Sequence, residues 1–243
     1  MPQPKNPSIS IFFPCYNDSK TIRNLVEDAF STAKQLTDDY EIIVIDDGST
    51  DSSREVLKNL AKKHKDLKLV FHAKNQGYGG ALKTGFKTAT KALIFYTDGD
   101  GQYDVGELPL LWMIMTPDVD FVNGIKMTRE YSAQRIIIGK IYSFVARWLF
   151  LLPIYDTDCD FRLIRRKIIQ KIELKNNSGS ICVELIKKAQ LAGGKFREVS
   201  IHHYERRWGE SQFFVPQRIL STLFELGKLW VQLMIFERLP AWK

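Results

Sequence analysis

Two carboxylates one residue apart stand in the segment 98–102, whose sequence is Asp-Gly-Asp-Gly-Gln. The segment follows an apolar run at 92–96, which is typical of a buried strand in a parallel sheet. Neighbouring carboxylates repel each other unless a positive charge neutralises them. Because hard divalent cations prefer oxygen ligands, Asp98, Asp100 and Gln102 form a candidate metal site. Asp and Gly are also common turn residues, so by itself the segment is equally typical of a solvated turn.

Strand and helix patterns alternate through the first half of the chain. Strands are predicted at the apolar runs 8–13, 41–45, 67–71 and 92–96. Amphipathic stretches between these runs predict helices, and the alternation is typical of an α/β fold with a Rossmann-like, mostly parallel sheet flanked by helices. Ligands of such sheets bind at the carboxyl ends of the strands, so the loops there are expected to meet in one crevice.

Three of these loops carry side chains that suit a ligand site. They are 14–18 (Pro-Cys-Tyr-Asn-Asp), 46–49 (Asp-Asp-Gly-Ser) and the acidic segment 98–102. An aromatic ring and several carboxylates that converge on one crevice indicate a binding site. A fourth loop, 77–80, is glycine-rich and offers backbone N–H groups to a phosphate, with Gly79 as the candidate. Tight helix packing is the more usual reason for such a cluster, and neither the P-loop nor the dinucleotide-binding spacing is present.

The chain divides into an acidic and a basic half. Residues 1–120 contain 14 Lys/Arg against 17 Asp/Glu, whereas residues 121–243 contain 21 against 11, and the net charge is +7. A strongly basic half predicts an anionic partner, which could be nucleic acid, an anionic membrane surface or a phosphorylated substrate. The 44% hydrophobic content is enough for a sizeable core.

The start of the chain and the cysteines bear on its compartment. The first seven residues are too polar for a secretory signal. Cys15, Cys159 and Cys182 are an odd number without metal-site spacing, which predicts reduced thiols. A cytoplasmic location is therefore expected.

The second half of the chain contains two wide apolar helices. The first, 135–152, suits either a buried helix or one that lies in a membrane interface, and Lys140 and Arg147 argue against a spanning helix. The second is an amphipathic helix within 213–243, which packs on the domain, on a second subunit in a homo-oligomer, or on a membrane. Between them, Asp156, Asp158 and Asp160 alternate and share one face of an extended chain.

Six short motifs in this order resemble family 2 glycosyltransferases with the GT-A fold, in the polyprenyl-phosphate (dolichol-phosphate mannosyltransferase-like) branch. The motifs are Pro14-x-Tyr16-Asn17, Asp46-Asp47-Gly48-Ser49, Asn75-x-Gly77-x-Gly79, Asp98-x-Asp100-x-Gln102, Asp156-x-x-x-x-Phe161-Arg162 and Arg206-x-x-Gly209-x-Ser211. The resemblance implies a GT-A domain over 1–212, with a nucleotide-sugar and metal half at 1–124 and an acceptor half at 125–212, followed by the amphipathic helix.

The resemblance also implies roles for individual residues. Pro14 and Tyr16 would face the nucleobase, Asp47 would accept a hydrogen bond from it, and Asp18 would lie near the ribose. Asp98, Asp100 and Gln102 would hold Mg²⁺ or Mn²⁺ at the diphosphate, with Asp98 between the metal and the sugar. Asp156, or as second choice Asp158, would be the catalytic carboxylate by the acceptor. The candidates for binding phosphate or acceptor are Lys126, Arg129, Arg135, Arg162, Arg206 and Ser211.

The chain departs from the family pattern at three positions. Gly101 stands where a larger apolar residue is usual, Asp160 where glycine is usual, and Gln212 where lysine is usual.

The function implied is transfer of a sugar from a nucleoside-diphosphate sugar to a polyprenyl phosphate at the cytosolic face of a membrane, with inversion at the anomeric carbon. A phosphate acceptor is already ionised, so it needs positioning more than a base. One alternative is transfer to a hydroxyl acceptor of a glycan or other molecule, where Asp156 or Asp158 would act as a base. A nucleotidyltransferase usually has a basic glycine-rich loop after its first strand, which is missing. A non-enzymatic basic module is the remaining alternative, and no nucleic-acid-binding motif supports it.

Overall fold

The computed structural model describes residues 7–129, 133–205 and 224–236, and a seven-stranded sheet forms its centre. The strands are β1 (Ile9–Cys15), β2 (Tyr40–Asp46), β3 (Leu67–Phe71), β4 (Leu93–Thr97), β5 (Phe121–Arg129), β6 (Phe161–Arg165) and β7 (Phe196–His203). They lie in the order β3-β2-β1-β4-β6-β5-β7. Only β6 is antiparallel to its neighbours. The predicted mostly parallel sheet is confirmed, and strands from both halves of the chain belong to it.

Helices cover both faces of the sheet. They are α1 (Ile22–Leu36), α2 (Ser53–Lys63), α3 (Tyr78–Thr88), α4 (Leu108–Ile114), α5 (Ala133–Phe150), α6 (Arg166–Ile169), α7 (Ile181–Leu191) and α8 (224–230), which continues as a π-helical stretch, Val231–Phe236. A 3₁₀ turn, Val105–Glu107, precedes α4. None of the helices in the described ranges is long and apolar enough to cross a bilayer.

Alternate residues of the central strands supply two cores. Ile11 and Phe13 of β1 pack with α1, α2 and α4. Phe12 points to the other face, where its ring meets that of Phe86 of α3 at 5.1 Å and α5, α7 and α8 complete the core. Because both faces are covered, the strands are apolar throughout rather than alternating.

The described part of the C-terminal helix packs on the domain. Leu226, Leu229 and Leu233 are buried against the α5 side of the sheet, and the indole N–H of Trp230 donates to the carbonyl of Leu149 at 2.8 Å. One face of this helix is therefore part of the core. The sequence left open whether the helix packs on the domain, on a second subunit or on a membrane, and for this face of 224–236 the structure shows packing on the domain.

Candidate functional site

The acidic turn 98–102 follows β4 at a point where the strand order reverses. β1 has β2 and β3 on one side and β4 on the other, so the loops after β1 and β4 border a common crevice. The Thr21 hydroxyl donates to the carbonyl of Gly99 at 2.8 Å. A Cβ on Gly99 would lie 3.1 Å from Asp18 Oδ2, so the Asp18 carboxylate borders the turn. The predicted convergence of these two loops is therefore observed.

The far end of the turn is tied to β7. The Gln102 N–H donates to Asp100 Oδ1 at 3.1 Å. The side-chain amide of Gln102 donates to the carbonyl of Tyr204 at 3.0 Å, and the Tyr204 N–H donates to the carbonyl of Gln102 at 2.9 Å. Gln102 is 5% exposed, so it anchors the turn as well as being a candidate ligand. Gly101 has φ +75°, a conformation that a larger apolar residue would adopt only with strain, and this explains one departure from the family pattern.

The electrostatics of the turn favour a bound cation. Burial raises the pKa of Asp98 well above its ordinary value, and the carboxylates of Asp160 and Asp100 raise it further, against the opposing effects of Tyr78 and Lys126. The Tyr78 hydroxyl donates to Asp98 Oδ1 at 2.6 Å. The donor set is oxygen only, which fits Mg²⁺ or Mn²⁺. Within the described ranges no three His, Cys, Asp or Glu side chains are grouped to hold a metal alone, so ligands from a substrate or water would have to complete such a site.

The loops after β1 and β2 are joined through Asn17. Its N–H donates to the Ser49 hydroxyl at 3.0 Å, and its side-chain oxygen accepts the N–H of Thr50 at 2.8 Å. Tyr16 is 43% exposed on this joined surface, as expected for a side chain that faces a ligand. Pro14, by contrast, is buried in β1 opposite Ile45, and its place in a loop that faces the nucleobase stays a prediction.

Asp47 lies at the base of these loops and is 3% exposed. Its Oδ1 accepts the N–H of Gln76 at 2.8 Å and lies 2.6 Å from His72 Nδ1. No group among the described residues donates to Oδ2, which leaves that oxygen for a ligand.

The glycine-rich loop 77–80 packs against the chain instead of opening to a ligand. The Gly79 N–H donates to the carbonyl of Asn177 at 2.8 Å. A Cβ on Gly79 would lie 2.4 Å from the Asn176 carbonyl oxygen, so glycine is needed for this close approach. The assignment of Gly79 to nucleotide-sugar binding is therefore wrong, because its N–H is already bonded and its surface is covered.

The carboxylates predicted at the acceptor differ in exposure. Asp156 is 4% exposed, and its Oδ2 accepts the backbone N–H of Lys126 at 3.1 Å. The side chain of Asp158 is 40% exposed, and its Oδ2 lies 3.0 Å from the Lys126 ammonium. Asp158 is thus the more accessible of the two, and which of them acts at the acceptor stays a prediction.

Lys126 is a buried counter-ion at this point. Burial alone would lower its pKa, but Asp158 and Asp156 raise it above its ordinary value, so the side chain is charged. Its ammonium is already paired with Asp158, so the structure shows Lys126 as the partner of that carboxylate rather than as an open phosphate clamp.

Arg162 is wholly buried, and its donors are bonded to protein groups. Nε donates to Asn123 Oδ1 at 2.9 Å, one terminal nitrogen contacts the Tyr96 hydroxyl and Asp160 Oδ1 at 2.5 and 2.9 Å, and the other donates to the Thr157 carbonyl at 2.9 Å. The prediction that Arg162 clamps phosphate is wrong, because no face of the guanidinium reaches solvent.

The remaining basic candidates fall largely outside the described part of the chain. Arg206 and Ser211 lie outside the described residues altogether. Arg129 ends β5 and Arg135 lies in the first turn of α5, and their side chains are likewise outside the described part.

Some residues of the site were missed by sequence reasoning. Asp160 is bonded to Arg162 and accepts the thiol hydrogen of Cys182 at 3.1 Å. Glu198 on β7 accepts the backbone N–H groups of Tyr155 and Asp156 at 2.9 and 3.3 Å and so fixes the loop that carries Asp156. The alternation of Asp156, Asp158 and Asp160 was a usable signal for Asp160, whereas nothing in the local pattern marks Glu198.

Comparison with known proteins places the chain in a family. The model of glycosyl transferase family 2 matches residues 10–173. Two curated relatives are undecaprenyl-phosphate 4-deoxy-4-formamido-L-arabinose transferases, from Yersinia enterocolitica serotype O:8 / biotype 1B and from Yersinia pestis (strain Pestoides F). Each is 27% identical over 90% of this chain. The chain spans 66% of the length of each.

Solved structures share the fold. A mannosyltransferase from Pyrobaculum calidifontis, in complex with GDP-Man and Mn²⁺, has a TM-score of 0.69 at 18% identity over 95% of this chain and 66% of its own. Glucosyl-3-phosphoglycerate synthase from Mycobacterium tuberculosis, with Mn²⁺, UDP and glucosyl-3-phosphoglycerate, has a TM-score of 0.67 at 15% identity over 94% of this chain and 79% of its own. At these identities the likeness establishes the GT-A architecture and no more.

Proposed function

Since the chain belongs to glycosyl transferase family 2, we propose that it transfers a sugar from a nucleoside-diphosphate sugar to a polyprenyl phosphate. The observation that carries the proposal is that the acidic turn 98–102 lies near the Lys126–Asp158 ion pair. The charge of Lys126 lowers the pKa of Asp98, against the larger effects that raise it. In this proposal, a site for a diphosphate-bound cation would adjoin a charged site for the acceptor. The names of the curated relatives supply the acceptor class.

Asp98 and Asp100, with Gln102, would hold Mg²⁺ or Mn²⁺ at the diphosphate. A divalent cation there supplies Lewis-acid stabilisation of the departing nucleoside diphosphate. The protein's own contribution is to keep these oxygens together: Tyr78 holds Asp98, and the Gln102 N–H holds Asp100. Tyr16, Asp18 and Asp47 would receive the nucleoside.

The acceptor half would orient an anion that is already a nucleophile. A phosphate needs no strong base at neutral pH, so Asp158 can remain paired with Lys126 while the basic half of the chain attracts the acceptor. Attack from the side opposite the leaving diphosphate inverts the anomeric carbon. Asp156, held by the Lys126 N–H, would fix the loop that carries Asp158.

An exposed apolar face gives the acceptor lipid a surface to lie on. It extends over α5, the following loop and α8, and its members are Ile141, Phe144, Val145, Trp148, Leu149, Leu151, Tyr155, Phe224, Val231 and Ile235. The Arg147 guanidinium lies 3.8 Å from the Tyr155 ring centroid, and Tyr155 directly precedes Asp156. The face would therefore lead from a membrane surface to Asp156 and Asp158, and peripheral attachment at the cytosolic face is part of the proposal.

Labelled UDP- and GDP-sugars, each with Mn²⁺ and a short-chain polyprenyl phosphate, test the reaction. We expect a lipid-extractable glycosyl phosphate from one sugar nucleotide, with inverted anomeric configuration by NMR. Product formed only with hydroxyl acceptors would instead support transfer to a glycan or similar molecule, and a retained anomer would contradict the in-line attack.

Trp148→Glu tests the membrane part. We expect about tenfold less binding to vesicles of equal phosphatidylcholine and phosphatidylglycerol, because a 64% exposed indole would no longer enter the interface. Met113→Glu is the matched control, since Met113 is 69% exposed on α4 across the sheet, and it should bind like the wild type in a flotation assay. Equal binding of both variants and wild type would show that the α5 face does not meet the membrane.

A further inference from the structure

The carboxylate of Asp47 is fixed by one side chain that the proposed reaction has not used. His72 follows β3 and is 7% exposed, and its Nδ1 lies 2.6 Å from Asp47 Oδ1. An ionised carboxylate only accepts hydrogen bonds, so Nδ1 carries the proton and donates it. The Gln76 N–H donates to the same oxygen at 2.8 Å. Two donors on Oδ1 set the rotation of the carboxylate and leave Oδ2 without a donor among the described residues.

His72 is itself held on every side. Its backbone N–H donates to the carbonyl of Asp46 at 2.8 Å, and its own carbonyl accepts from the Arg54 guanidinium at 2.5 Å. Its Nε2 lies 2.9 Å from the hydroxyl oxygen of Thr84 on α3. Arg54 also donates to Asp46 Oδ1 at 2.6 Å, so β2, β3, α2 and α3 are all bonded around this imidazole. A ring fixed this firmly can hold Asp47 in a single orientation.

We propose that His72 is a positioning residue that presents Asp47 Oδ2 to the base of the sugar nucleotide, and so selects bases with a ring N–H on the edge that meets it. This rests on the proposed function. Uracil, thymine and guanine carry such an N–H and can donate to a carboxylate oxygen. Cytosine and adenine present an unprotonated ring nitrogen there, whose lone pair would face the carboxylate. The class of nucleotide is thereby narrowed to uridine, thymidine and guanosine diphosphates, because the orientation of the Asp47 carboxylate favours a ring N–H donor.

Two replacements of His72 separate this role from a general packing role. An asparagine amide reaches the position of Nδ1 and can still donate to Asp47, whereas a glutamine amide reaches the position of Nε2 and keeps only the Thr84 contact. Both variants remove the imidazole ring, so both test packing equally. His64→Gln is the matched control, because His64 directly follows α2, lies at the other end of β3 from His72 and pairs there with Glu27.

The measurement is calorimetric binding of UDP, GDP, CDP and ADP to the full chain with Mn²⁺, with KM and kcat for the sugar nucleotide beside it. We expect wild type to bind UDP or GDP and not CDP or ADP. H72Q should raise the Kd and KM about tenfold with kcat nearly unchanged, because one hydrogen bond to a charged group is lost. H72N should stay within about threefold of wild type, and H64Q should match wild type.

The outcomes distinguish the inference from the proposed function. If wild type binds none of the four nucleotides, the proposed function fails and the inference fails with it. If wild type binds UDP or GDP but H72Q binds them equally well, or H72N and H72Q lose affinity alike, only the positioning role is overturned. Tight binding of CDP or ADP by wild type overturns the selection of the base. The melting temperature of each variant is measured by thermal denaturation, so that binding is compared only between folded proteins.

Discussion

Replacing Asp100 with asparagine is expected to lower kcat/KM for sugar transfer by at least about a thousandfold, because it removes a charged ligand from the proposed cation. In the wild type, the Gln102 N–H donates to Asp100 Oδ1 at 3.1 Å. The side-chain oxygen of asparagine can accept the same hydrogen bond. The turn and its attachment to Tyr204 are therefore preserved. The free energy of unfolding should stay within about 0.5 kcal/mol of wild type, as for most substitutions outside the core.

Asp66→Asn is the control for this change. Asp66 is exposed before β3, at the edge of the sheet away from the loops, so the same loss of one charge should leave transfer unchanged. The comparison uses initial rates with Mn²⁺ and urea denaturation of all three proteins. Wild-type transfer that survives removal of divalent cations by a chelator, or full activity of the Asp100 variant, would contradict a metal role for the turn.

The sheet was predictable because its strands are buried on both faces. The predicted strands at 41–45 and 92–96 lie within about one residue of β2 and β4. In an α/β fold with helices on both faces of the sheet, a short apolar run between polar loops is typical of a buried strand. The convergence of the loops after β1 and β4 followed from parallel topology alone. The topology does not predict individual contacts between the loops, such as the hydrogen bond from the Thr21 hydroxyl to the Gly99 carbonyl.

The partners of charged side chains were not predictable, because they depend on which strands become neighbours. β6 inserts antiparallel between β4 and β5, and the register places Arg162 beside both Tyr96 and Asn123. Those are the residues that its guanidinium bonds. Spacing along the chain gives no sign of this insertion. The sequence therefore suggested that Arg162 binds the phosphate of a ligand, whereas in the structure its guanidinium pairs with Asp160 inside the protein.

The contacts of Arg162 also explain how the chain accommodates Asp160, one of its departures from the family pattern. A carboxylate stands where the family usually has glycine, and the adjacent guanidinium of Arg162 balances it at 2.9 Å. The Cys182 thiol and the Tyr96 hydroxyl contact the same oxygen at 3.1 and 3.3 Å. Arg162, which is wholly buried, and Asp160, whose side chain is 14% exposed, thus form a largely buried ion pair, and Asp160 also helps to raise the pKa of Asp98.

Replacing Arg162 with methionine is expected to lower the free energy of unfolding by about 3–5 kcal/mol, the usual cost of removing one partner from a buried ion pair. The Asp160 carboxylate would lose its balancing charge, and Asn123 Oδ1 and the Thr157 carbonyl would lose their hydrogen-bond donors. A phosphate clamp would behave differently, because its loss would raise the KM for the acceptor and leave stability unchanged. Urea denaturation followed by tryptophan fluorescence measures the difference.

Two further variants identify the cause of the loss. Arg23→Met removes an exposed arginine from α1 and should change stability by less than about 0.5 kcal/mol. The double variant Asp160→Asn with Arg162→Met should recover part of the stability lost by Arg162→Met alone, because the carboxylate left without a partner is no longer charged. If the double variant is as unstable as the sum of the single variants, the ion pair is not what Arg162 contributes. If Arg162→Met unfolds like wild type but binds the acceptor poorly, the guanidinium is a clamp after all.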